Sequence, residues 1–112
     1  MSGPSRNDVH LSHNVEGNRY ELRLDGEMAG TAEYLEQSGG GVALTQTVMA
    51  DPYQHRGFSS MLVRYAVEDI MASGRQIEPY CSYAAAWLGK HPEYSHYVSW
   101  PQAPRQSPRT TG

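Results

Sequence analysis

One segment, residues 42–80, constrains the fold more than any other, because it reads as strand, crossover helix and strand in close succession. Residues 42–50 are β-rich, with Val42, Leu44, Val48 and the threonines Thr45 and Thr47. Asp51-Pro52 ends that run, and Phe58, Met61, Leu62, Tyr65, Ala66 and Ile70 then recur at helical spacing as far as Ser73-Gly74. Gly74 stands where a left-handed helix cap is expected, and residues 76–80, with Ile77 and Pro79, form a short extended segment. A strand-helix-strand crossover places its two strands parallel and adjacent in one sheet. Pro79 has no amide hydrogen and removes one ladder bond, so the pair is expected to part there.

Upstream, Tyr20, Leu22 and Leu24 alternate on one face of residues 19–24, and Asp25-Gly26 supplies a hairpin turn. Residues 27–37 pair back, the glycines at 39, 40 and 41 turn the chain again, and a three-stranded meander results. Downstream, Ala84, Ala85, Ala86 and Leu88 favour a short helix over residues 82–90, which Pro92 stops. The fold class is therefore α/β, with a mixed, mostly antiparallel sheet, one main helix in a β-α-β crossover and a short C-terminal helix.

A length of 112 residues leaves room for one compact domain, placed at residues 19–100. Residues 1–18 are rich in Gly, Ser, Asn and His, and residues 101–112 hold Pro101, Pro104 and Pro108 with almost nothing apolar, so both ends are expected to be loose. Lys plus Arg number 9 against 12 Asp plus Glu, a net charge of -3, which gives no broad basic face for nucleic acid. No stretch suits a membrane span or a signal peptide, so the default expectation is a cytoplasmic protein, a monomer or weak dimer. The single cysteine, Cys81, forms no internal disulfide, and the scattered histidines lack the partners of a zinc site.

The stretch from Asp51 through Gln54, His55, Arg56 and Gly57 to Phe58, Ser59 and Ser60 carries the strand end through a glycine turn into the helix. The first amides of a helix have no internal partner, and the summed peptide dipoles put roughly half a positive charge there, so a phosphate satisfies both. Gly57 lets backbone approach a ligand closely, Ser59 is small, and Gln54, His55 and Arg56 add side-chain donors. An ordinary strand-to-helix turn is the alternative. A P-loop fits worse, because no Lys-Ser or Lys-Thr pair follows the glycine.

Gln54-x-x-Gly57-x-Ser59 resembles the Q/R-x-x-G-x-G/A signature of the GNAT superfamily of acyl-CoA-dependent N-acyltransferases. Further blocks resemble the minimal, roughly hundred-residue branch of that superfamily: Tyr20-Glu21-Leu22, Asp25-Gly26, Arg56-Gly57, Pro79-Tyr80-Cys81-Ser82-Tyr83 and His91-Pro92-Glu93-Tyr94. The resemblance implies a GNAT-like sheet split into a V, with the pantetheine arm of coenzyme A in the gap against the backbone of Val48 and Met49. It also implies a pyrophosphate on the amides around His55 to Ser60, acetyl-CoA as donor, an amine acceptor, and a thioester close to Cys81. Ser59 stands where Gly or Ala is usual, and Val48 where this branch commonly has Glu.

Catalysis by direct attack needs an unprotonated amine and a proton acceptor. Residues 42–50 carry no ionisable side chain, so a base would come from Glu33, Glu36 or His91. Cys81 is either a nucleophile activated by the helix that Ser82 begins or a small buried hydrophobe. The catalytic candidates are accordingly Cys81 and His91. Coenzyme A binding without transfer is the rival function.

Overall fold

A computed structural model of the chain describes residues 8–101. The expectation of a loose tail over residues 101–112 falls, beyond Pro101, outside the described residues. One five-stranded sheet runs in the order β1 (Val9–Asn14), β2 (Arg19–Leu24), β3 (Glu27–Glu36), β4 (Val42–Met49) and β5 (Ile77–Pro79). The first four strands are antiparallel neighbours, and β5 lies parallel to β4. Helix α1 (Phe58–Ala72) makes the crossover and α2 (Ser82–Gly89) follows β5. Short 3-10 turns occupy Asp51–Tyr53 and Pro92–Tyr97.

The meander, the crossover and the closing helix stand where local pattern put them. The loose N-terminus is corrected for Val9–Asn14, which form the edge strand β1. Its hold is chemical as well as apolar. His13 pairs with Tyr20 in register, stacks on that ring at 4.2 Å, and its Nε2 lies 2.7 Å from the Tyr34 hydroxyl. Its Nδ1 lies 3.3 Å from Asp69 of α1, whose same carboxylate oxygen accepts a 2.8 Å bond from the Tyr20 hydroxyl. Burial and the Asp69 bond push the Tyr20 phenol far above its ordinary range, which keeps it a donor.

Tyr20, Leu22, Ala32, Leu44 and Ile77 face Leu62, Ala66, Val67 and Ile70 of α1 in one core. Gly30 is required within it, since a Cβ there would sit 2.8 Å from the Val48 carbonyl oxygen. On the opposite face Glu33, Leu35 and Val48 meet solvent. Glu21 is the exception there: at 5% exposure it is enclosed by Asn14, Arg19 and Arg23, which donate to its carboxylate at 2.9–3.1 Å. No helix among the described residues is long and apolar enough to cross a membrane.

Candidate active site

The β4–α1 junction is built by its local chemistry. Pro52 cannot extend β4, so the chain folds into a 3-10 turn closed by Tyr53 N–H to Ala50 O at 2.9 Å. His55 and Gly57 then take left-handed conformations, with φ of 62° and 84°. Gly57 is the N-cap of α1 and supplies no capping side chain, which leaves the N–H groups of Phe58, Ser59 and Ser60 without helical partners. A Cβ on Gly57 would meet nothing within 4 Å, so the approach to those amides is open.

The sequence assigned Gln54, His55 and Arg56 as side-chain donors to a ligand. Gln54 turns back, its Nε2 donating to Met49 O at 2.9 Å and standing 3.3 Å from Asp51 Oδ1, and so braces the turn. The Arg56 guanidinium lies 5.5 Å over the Phe58 ring. His55 is exposed.

Beside this junction the sheet opens. β5 pairs with β4 only along Val42, Ala43 and Leu44, and the amides of Tyr80 and Cys81 both donate to Leu44 O, at 3.0 and 2.8 Å. Past Leu44, β4 has no strand partner on that side among the described residues. The parting holds a cavity of about 300 Å³ lined by Thr47, Met49, Gln54, His55, Gly57, Ser59 and Tyr83. Thr47 and Met49 share the face that looks toward α1, as their partners Ala32 and Gly30 do. Val48 alternates to the other face, where it borders a shallow depression with Met28 and Thr31. Its side chain is thus absent from the cavity.

Cys81 is buried, caps α2 and donates its thiol hydrogen to Thr47 Oγ1 at 3.3 Å, one hydrogen bond behind the cavity wall. Sequence reasoning missed Thr47, although alternation from Met49 points to it, and it singled out Tyr83 only as part of the block from Pro79 to Tyr83. Desolvation raises the Tyr83 phenol above its ordinary range.

A model of the family described as "GCN5-related N-acetyl-transferase" matches residues 19–98. The chain belongs to the GCN5-related N-acetyltransferase family. Among solved structures, a GCN5-like protein from Staphylococcus aureus superposes with a TM-score of 0.66 at 15% identity, covering 86% of this chain and 93% of that one. A GNAT-family protein from Desulfovibrio desulfuricans is 26% identical over 53% of this chain, with a TM-score of 0.49, and the match spans 39% of its length. An aminoglycoside acetyltransferase from an uncultured soil metagenomic sample matches 82% of this chain and 63% of its own, at 16% identity and a TM-score of 0.47. No curated protein matches.

The remaining predicted residues of this GCN5-related chain lie away from the cavity lining. Ser60 Oγ accepts a 2.8 Å bond from the Trp87 indole. His91 stacks on Trp87 with ring centroids 3.8 Å apart, and its Nδ1–H donates to Trp87 O at 2.7 Å. That is the arrangement of a histidine closing a helix end. The alternative bases are also placed elsewhere, Glu33 on the solvent face of the sheet and Glu36 bonded to Arg75 at 3.0 Å.

Proposed function

We infer that this chain is a small acetyl-CoA-dependent N-acetyltransferase that acts on an amine acceptor. The observation that carries the reading is the cavity between β4, the β4–α1 junction and Tyr83 of α2, with the free first amides of α1 at its wall. A pyrophosphate meets there unpartnered N–H groups and the positive end of a helix of 15 residues, with His55 and Arg56 on the same loop and no carboxylate in the lining. The β4 edge beyond Leu44 offers backbone to an extended amide-bearing arm, as a neighbouring strand would, with the Met49 carbonyl shared with Gln54. Gln54 holds the turn in shape.

Bound acetyl-CoA would supply an activated acetyl thioester. Thr47, Tyr83 and, behind them, Cys81 are the polar groups the chain presents at the α2 side of the cavity. Because the lining has no carboxylate, the acceptor enters as the free amine or gives its proton to water or to the His55 imidazole, and turnover rises with pH as more acceptor is deprotonated. His91 serves as a support for Trp87.

Calorimetric titration with coenzyme A and acetyl-CoA, followed by transfer of radiolabelled acetyl groups to a panel of amines, polyamines and peptides, tests the proposal. Binding with product supports it; absence of heat removes it. The missing carboxylate favours a second reading, acyl-CoA binding without transfer, which gives heat and no product with every acceptor.

A further inference from the structure

Trp87 joins the two walls of the cavity. It is 5% exposed, and its Nε1–H donates at 2.8 Å to Ser60 in the first turn of α1, the turn whose amides stand free. It belongs to α2, whose first turn carries Tyr83 in the cavity lining. The indole is held by the stacked His91 ring and by the Arg64 guanidinium 5.3 Å from the ring centroid. Arg64 also donates to the Tyr94 hydroxyl, which donates to Glu68, each at 2.8 Å, so α1 meets the segment after α2 along one helical face.

The loop that leads into α1 does little of this locating. Each of residues 51–57 is exposed or partly exposed. Phe58 anchors the helix start to the core, but the polar tie that sets its first turn against α2 is the indole. A buried ring packed against cationic and aromatic groups has few rotamers left, which makes it a rigid reference for both helices.

We propose that Trp87 is a positioning residue for donor binding: through Ser60 it fixes the α1 amides at a set separation from Tyr83 and Thr47. The inference rests on the donor site proposed above. The Ser60 hydroxyl acts through this bond and does not contact the donor phosphates.

Acetyl-CoA itself is the probe, followed by calorimetry and by indole fluorescence. Trp87 and Trp100 are the two indoles of the chain, so a Trp100→Phe protein reports Trp87 alone. Its emission is expected to change saturably with acetyl-CoA, with a midpoint equal to the calorimetric dissociation constant. Trp87→Phe keeps the ring and loses the donor, and it should weaken binding about fivefold, the usual worth of one neutral hydrogen bond. Ser60→Ala should do the same, Ser60→Thr should restore wild-type affinity, and the Trp87→Phe/Ser60→Ala double variant should bind no worse than either single one. Additive losses in the double variant, wild-type affinity in Ser60→Ala, or an unchanged Trp87 emission at saturation would overturn the inference while leaving the donor site standing. Absence of heat from the wild-type chain would overturn the donor site, and this inference with it.

Discussion

Thr47 and Cys81 face one another across the parting of β4 and β5, with the thiol sulfur 3.3 Å from the Thr47 hydroxyl oxygen. The bond spans strands that share no ladder beyond Leu44, so it is a side-chain link where backbone links have ended. Cys81→Ala removes the thiol and leaves a small gap, with an expected stability loss of about 1 kcal/mol. Acetyl transfer should fall at least about tenfold, which corresponds to roughly 1.4 kcal/mol of activation free energy, while acetyl-CoA affinity holds. Cys81→Ser keeps a donor to Thr47. Full turnover in that variant would show that the sulfur itself takes no part.

Gly57→Ala places a Cβ on a residue with φ of 84°, next to the free amides of α1. The left-handed backbone should reduce stability by about 1 kcal/mol. The methyl group would project from the N-cap into space where no protein atom lies within 4 Å, which is the space assigned to the phosphates. Calorimetry should find acetyl-CoA binding weakened about tenfold, or roughly 1.4 kcal/mol. Unaltered affinity would place the phosphates elsewhere.

Glu21 should make the fold sensitive to acid. The Asn14 amide bond, helped by Arg19 and Arg23 and opposed by desolvation, holds its carboxyl below the usual range. A carboxyl depressed in the folded state adds stability that is present above its unfolded pKa, about 4.3, and is lost as pH falls through the lower folded value. The melting temperature of the wild-type chain should therefore drop more steeply than that of Glu21→Gln over this acidic window. Parallel curves would remove Glu21 from the account.

His13→Ala takes a partner from Tyr34 and Asp69 at once. Among the described residues the Tyr34 hydroxyl has no other bond, and the ring is 3% exposed. The loss is expected to be about 2 kcal/mol. Thermal unfolding should record it as a fall of about 10 °C for a domain this size. A chain that melts unchanged would mean that β1 is held by its backbone alone.

Much of this fold was readable from local pattern, because the responsible forces act over a few residues. Asp25-Gly26 turns, the apolar spacing of α1, the left-handed Gly74 and the ring of Pro79 each decide a conformation nearby. β1 escaped notice because His13, the residue that secures it, is polar and finds its partners on β3 and α1. The glycine turn was legible for the same local reason that its side chains were not. A left-handed Gly57 follows from the chain's own geometry, whereas Gln54 reaches Met49 O only when the turn has closed. His91 looked catalytic as a lone imidazole beside a proline; its stacking on Trp87 and the bond from Trp87 to Ser60, 27 residues away, depend on how two helices meet.

The Leu44 carbonyl, which takes both the Tyr80 and Cys81 amides, ends the lateral bonding of the sheet on that side. Mechanically this makes the domain two leaves, the four antiparallel strands and the pair of β5 with α2, sewn together along a short seam from Val42 to Leu44. Widening or narrowing of the slot would bend at that seam, and the indole of Trp87 is the strut that resists it from the far side.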